Sequence, residues 1–218
     1  MTFSITARCE KTGLLGVAVS TARPAVGSLV PYVKSGIGAI ATQATVNPFY
    51  GVDGIKLLAE GKSPADVLEQ LLASDPDRER RQCSIVDKDG NATGFTGKDT
   101  VPWQGHKIGT QFVVAGNMLT GPETIEAMFE TYQALENESL PERLLAALAS
   151  GQEAGGDKRG RQSAALYVVD REEYPLVDVR ADEHPEPVQE LIRIYKKCQE
   201  DLFPYTANLV KRKEEAIK

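Results

Sequence analysis

From Thr2 to Arg8 apolar and polar positions alternate, with Phe3, Ile5 and Ala7 on one face, and this predicts a half-buried strand. A Glu10-Lys11-Thr12-Gly13 turn leads into the apolar run Gly13 to Ser20, the second arm of a hairpin. Gly36 to Gln43 reads as a third strand made of small residues, a text that lets backbone or ligand approach closely. The period then becomes helical over Gly51 to Glu60. Ser63-Pro64-Ala65-Asp66 opens a second helix, with an acid closing a capping box and proline at the first helical position. Val67, Leu68, Leu71 and Leu72 form its stripe, and Asp75-Pro76 stops it. Gln82 to Lys88 turns at Asp89-Gly90 into Asn91 to Gly97, a second hairpin. Ile108 to Gly116 is one further strand.

Two more helix starts follow, at Thr120-Gly121-Pro122-Glu123 and Ser139-Leu140-Pro141-Glu142. The first carries Ile125, Met128, Phe129 and Tyr132 on one face, the second Leu144, Leu145 and Leu148. Ser163 to Asp170 and Pro175 to Arg180 are late strands. Pro185 to Leu202 is an amphipathic helix with Val188, Leu191, Ile192 and Tyr195, and Lys211 to Lys218 is a charged tail. Strands come in runs and helices in pairs, unlike the strict alternation of a parallel sheet. The expected fold is α+β, a four-layer αββα sandwich of two antiparallel sheets spanning residues 1–182. Residues 183–218 would be a C-terminal helix and tail on it. The apolar face of that helix leads to the expectation of a homo-oligomer, most simply a dimer.

Composition narrows the function. The chain has 218 residues, enough for one large core, and 25 basic against 31 acidic residues give a net charge of −6. A dedicated nucleic-acid binder would carry a basic surplus. Apolar runs fall far short of the ~20 residues of a membrane span. The first residues lack a secretory pattern, and Cys9, Cys83 and Cys198 have no CxxC spacing, which fits a cytoplasmic protein without disulfides. No HExxH, G-x-S-x-G or Walker A pattern occurs. Gly36-Ile37-Gly38-Ala39-Ile40-Ala41 matches GxGxxA, but no helix follows it. No metal and no cofactor is expected, and His106 reads as a loop histidine.

One nucleophile needs no histidine. A small residue at position two permits removal of Met1, which would leave Thr2 with a free α-amine titrating near pH 7.7–8.0. Such an amine can accept the proton of the same residue's hydroxyl. Thr2 also opens a strand directly, so it is positioned. The loop Gly155-Gly156-Asp157-Lys158-Arg159-Gly160-Arg161-Gln162-Ser163 runs straight into a core strand. Loops at strand ends build sites, and Arg159 and Arg161 could clamp a carboxylate.

Together with Gly16-Val17-Ala18-Val19-Ser20, Gly36 to Ala44, Asn47-Pro48-Phe49-Tyr50-Gly51 and Gly116-Asn117-Met118-Leu119, these stretches resemble a bacterial and archaeal family. It is domain of unknown function 1028, placed among the N-terminal-nucleophile hydrolases. The resemblance implies the αββα sandwich, an N-terminal nucleophile and hydrolysis of an amide or related bond in a small molecule. Thr2 would attack, and Lys34 would keep its amine neutral. Asn117, or backbone amides at Gly116-Asn117, would hold the oxyanion. Asp157 would orient the amine, and Arg159, Arg161 and Ser163 would meet an anionic substrate. The superfamily's acid at the end of the second strand has no match, because Ser20 and Thr21 stand there. Two alternatives are acid–base hydrolysis by Asp157 with a second carboxylate, and a non-catalytic ligand-binding or scaffold protein on the same fold.

Overall fold

The computed structural model describes residues 2–211. Two antiparallel sheets stack face to face. The six-stranded sheet has the order β10-β9-β2-β1-β8-β7 and the four-stranded sheet β3-β4-β5-β6. The strands are β1 Thr2–Arg8, β2 Leu15–Thr21, β3 Pro31–Lys34, β4 Gly38–Ala44 and β5 Arg81–Asp87, then β6 Ala92–Thr96, β7 Gly105–Gly109, β8 Phe112–Asn117, β9 Ser163–Val169 and β10 Val177–Ala181. Helices α1 Phe49–Ala59 and α2 Pro64–Ala73 cover the smaller sheet. Helices α3 Glu123–Ala134, α4 Leu140–Glu153 and α5 Pro187–Asp201 cover the larger one. This is the αββα layer order expected from the sequence.

Alternation along β1 explains the layering. Phe3, Ile5 and Ala7 face the α3–α4 layer and join Met128, Leu144 and Leu148 in the largest core. Thr2, Ser4 and Thr6 therefore face the other sheet. The space between the sheets is apolar along β2, β4 and β9, where Val17, Val19, Ala39, Ala41 and Ala165 meet. At the Thr2 end it becomes polar.

Two strands escape the pattern reading. Pro31–Lys34 forms edge strand β3, and His106 lies in β7 rather than in a loop. The stretch read as one strand from Ile108 is a hairpin turning between Gly109 and Phe112, with Gln111 left-handed at φ 65°. Its turn has no Asn-Gly or Asp-Gly pair to announce it.

Helix α5 buries Val188, Leu191 and Tyr195 in the main core. Ile192, on the same face, is partly buried against that core. The predicted tail from Lys211 lies almost wholly outside the described residues. No helix among the described residues is long and apolar enough to cross a membrane.

Candidate functional site

β1 is a central strand, between β2 and β8, and Thr2 is its first residue. Thr2 stands opposite Asn117 in the β1–β8 register. It is 6% exposed, and its Oγ1 donates to Oγ1 of Thr21, at the end of β2, over 3.3 Å. Asn117 ends β8, and its Nδ2 approaches the Thr2 carbonyl at 3.5 Å, too long for a strong bond.

Behind this pair lies a buried amide cluster that crosses between the sheets. Gln43 on β4 and Gln82 on β5 are paired directly in register. Gln82 Oε1 accepts from Gln43 Nε2 at 2.8 Å and from Asn117 Nδ2 at 2.9 Å. Gln82 Nε2 faces the carbonyls of Gly116 at 2.8 Å and Gly105 at 3.0 Å, and Thr96 Oγ1 at 2.9 Å. Thr96 Oγ1 in turn lies 2.9 Å from His106 Nδ1. Partial desolvation by the neighbouring strands lowers the titration of the His106 imidazole, whose side chain still reaches solvent.

The backbone next to Gln43 and Asn117 is unusual. Ala44, after Gln43, has φ 70°, and Met118, after Asn117, has φ 58°. Left-handed non-glycine residues cost energy and concentrate where a site needs them. Asn117 occupies the last rung of β8, and Gln43 the last but one of β4, whose final pair is Ala44 with Arg81.

The glycine-rich loop closes the same end. Asp157 bridges to Leu119 and is 4% exposed. Its Oδ2 accepts from the Ala22 N–H at 2.9 Å and from Arg159 Nη2 at 3.2 Å, and its Oδ1 accepts from the Arg159 N–H at 2.8 Å. Asp157 thereby ties the loop to the residue after Thr21. The structure brings Thr2, Asn117, Asp157 and Arg159 together.

Four sequence expectations need correction. Lys34 is at the opposite end of the sandwich. Its neighbour Ser35 donates to the Asp170 carbonyl, beyond the far end of β9, whereas Thr21 beside Thr2 pairs with Ser163 at the near end. The length of β9 separates them, roughly 20 Å at ~3.3 Å per residue. That exceeds a Debye length of ~10 Å, so Lys34 has no electrostatic hold on an amine at Thr2. It lines a separate cavity of about 660 Å³ with Tyr32, Tyr167, Asp178 and Arg180.

Gly116 is a packing position. A Cβ there would sit 2.6 Å from Leu119 Cδ1, on the helix side of the sheet, and its carbonyl is taken by Gln82. Ser163 is fully buried, with its Oγ donating to the Arg23 carbonyl at 2.6 Å and accepting from the Val26 N–H at 3.1 Å. It pins the turn after β2. Arg161 forms an ion pair with Glu186, turned toward the start of α5.

Gln43, Gln82 and Thr21 are the residues that sequence reasoning missed as site members. The available signal was a glutamine at the inward end of the small-residue strand Gly38–Ala44. Among the described residues, no group of three or more His, Cys, Asp or Glu side chains is placed to hold a metal ion.

Comparison with known proteins gives the family and leaves activity open. A crystal structure from Silicibacter pomeroyi, itself assigned to DUF1028, is 32% identical. The match covers 96% of this chain and 94% of that one, with a TM-score of 0.88. Anbu (ancestral beta-subunit) from Yersinia bercovieri is 13% identical with a TM-score of 0.37, over 97% of this chain and 99% of that one. That superposition is too loose to bear on function. No curated protein matches the chain. The model of the family of unknown function DUF1028 matches residues 2–191, and the chain belongs to that family.

Proposed function

We propose that the protein is an N-terminal-threonine hydrolase that cleaves an amide or related bond of a small molecule, with Thr2 as nucleophile once Met1 has been removed. The observation that carries this reading is the placement of Thr2: first residue of a central strand, side chain between the sheets, opposite Asn117 and beside Thr21. It is the end of the inter-sheet space where polar side chains cluster, away from the apolar part along β2, β4 and β9.

In this reading the Thr2 α-amine accepts the hydroxyl proton as Oγ1 bonds to the substrate carbonyl carbon. Thr21 aligns the hydroxyl. Of the two Asn117 amide hydrogens, one is held by Gln82 and the other is spent only on the long approach to the Thr2 carbonyl, so it can turn to the forming oxyanion. Collapse of the tetrahedral adduct breaks the C–N bond, and the ammonium returns its proton to the departing amine. Water then attacks the Thr2 ester, with the amine again as base, and releases the acid. Asp157 acts as a positioning group, holding its loop against the end of β2, and Arg159, ion-paired with Asp157, would meet an anionic substrate. The amine titrates near pH 7.7–8.0 without help, so the absence of Lys34 from the site does not remove the base.

A β-lactone, which acylates such a nucleophile without needing the true substrate, tests this. Thr2→Ala should abolish acylation while leaving the fold intact. Thr2→Ser should retain it, because hydroxyl and amine both survive. Equal labelling of wild type and Thr2→Ala would refute the reading and favour a non-catalytic binding protein on this fold.

A further inference from the structure

Three cations gather where the turn between β1 and β2, the turn between β7 and β8 and the end of α3 meet. Arg8 closes β1, Lys11 lies in the turn after it, and Arg143 lies near the start of α4. All three line one cavity of about 320 Å³. Their hydrogen bonds go to neutral oxygens: Arg8 to Gln111 Oε1, Lys11 to the Glu136 carbonyl and Asn137 Oδ1, and Arg143 to the Tyr132 carbonyl. The exposed Glu10 and Glu136 also line the cavity, yet none of the three cations forms an ion pair among the described residues. In a chain of net charge −6 this is a local positive patch without a counter-charge.

Two buried donors on the same cavity are unpaired. Arg8 Nε and Tyr132 Oη have no hydrogen-bond partner among the described residues, and Tyr132 is 2% exposed. The charge of Arg143 and the thiol of Cys9 both act on the Tyr132 hydroxyl, and both residues line the cavity with it. Burial pushes that phenol up to about 12, so it stands as an O–H donor. The Arg143 guanidinium lies 3.9 Å over the Tyr132 ring, which fixes the two groups relative to each other. Capping the last carbonyls of α3 accounts for part of what Lys11 and Arg143 do. It does not account for Arg8, for the Tyr132 hydroxyl, or for the N–H groups that those bonds leave unused.

We propose that this cavity binds a phosphate-bearing small molecule, whose phosphoryl oxygens accept from Arg8, Lys11, Arg143 and the Tyr132 hydroxyl. A tetrahedral oxyanion takes donors from several sides, and these come from β1, the turn after it, α3 and α4. A planar carboxylate is matched instead by a single guanidinium fork. The cavity is within the size range of small-molecule sites, which leaves room for an organic body beside the phosphate. Arg8 and Thr2 are at opposite ends of β1, roughly 20 Å apart at ~3.3 Å per residue, so the ligand is not the substrate of Thr2. The proposal is independent of the nucleophile reading.

Isothermal titration calorimetry of the chain with phenyl phosphate, inorganic phosphate and benzoate tests it. The two phosphates should bind saturably, at one site per chain, and compete with each other. Benzoate should bind at least about tenfold more weakly. Lys11→Gln, a change on an exposed turn, should weaken phenyl phosphate about tenfold through loss of one charge-assisted bond. Tyr132→Phe, which removes a hydroxyl unpaired in the free protein, should weaken it severalfold without lowering the melting temperature. Lys34→Ala, which removes a cation from the other cavity, should leave the affinity unchanged. No saturable binding of either phosphate would overturn the proposal and leave Lys11 and Arg143 as caps of α3. Equal affinity for benzoate would overturn the phosphate class. Unchanged affinity in Lys11→Gln or Tyr132→Phe, or an equal loss in Lys34→Ala, would place the binding elsewhere and overturn it too.

Discussion

The hydroxyls of Thr2 and Thr21 meet at 3.3 Å across the central strands β1 and β2, and each belongs to the strand end that faces the opposite sheet. Thr21 stands where the resemblance leads one to expect an acid, so the alignment of Thr2 is left to a neutral group. Thr21→Val keeps the shape and removes the oxygen. It should slow β-lactone acylation about fivefold, the equivalent of about 1 kcal/mol for one lost hydrogen bond. Thr21→Ser should restore the rate. Unchanged acylation in Thr21→Val would show that this contact does not align the nucleophile.

Two substitutions separate the corrected site from the expected one. Lys34→Ala should leave acylation unchanged, because the length of β9 lies between Lys34 and Thr2. Asn117→Ala should slow it by about 10²–10³, the usual loss for one oxyanion donor. A large loss in Lys34→Ala would mean that the two ends of the sandwich communicate in a way the present geometry does not provide.

A buried hydroxyl gives a stability prediction of unusual sign. Thr6 is fully buried on the inter-sheet face of β1, and its Oγ1 has no hydrogen-bond partner among the described residues. Replacing an unpaired polar group by an apolar one of the same shape removes a desolvation penalty. Thr6→Val should therefore stabilise the fold by about 1 kcal/mol in urea denaturation. Destabilisation would show that the hydroxyl has a partner, such as a bound water.

Acid should expose a second anchor. The hydrogen bond from Arg81, at 2.8 Å, together with one from Asn47, holds the Asp75 carboxyl well below the usual carboxylate range. A depressed value stabilises the fold fully above the unfolded value, near pH 3.9, and the contribution is lost as pH falls through the folded value. Asp75→Asn should cost about 1–3 kcal/mol at pH 7, since it leaves the nearly buried Arg81 with only the longer 3.7 Å ion-pair contact to the exposed Asp77. The gap between wild type and variant should narrow in urea titrations taken progressively below pH 4. A gap independent of pH would remove the ion pair from the account.

The layered sandwich and the start of a strand at Thr2 were legible because they depend on period. Phe3, Ile5 and Ala7 declare one face of β1, and the other face follows from the pleat. The Asp89-Gly90 turn and the Ser63-Pro64 start carry their own chemistry, and the Ser63 hydroxyl does accept the Asp66 N–H at 3.2 Å. Strand β3 was not legible: its four residues are too few to show alternation. The placement of Lys34 failed for a related reason. Its distance from Thr2 depends on which end of β4 the edge strand pairs with, and pairing is long-range information. Gln82 was hidden because a polar residue at a strand start looks solvent-facing. Only the carbonyls of Gly105 and Gly116, contributed by the other sheet, make it interior.

The central claim is that Thr2 is the nucleophile, and mass-spectrometric mapping of the β-lactone adduct tests it most directly. The account predicts an intact mass lacking Met1, a single adduct per chain, and the acyl group on the first peptide at the Thr2 oxygen. An adduct on Cys9, Cys83 or Cys198, or no adduct on a chain already shown to begin at Thr2, would contradict it.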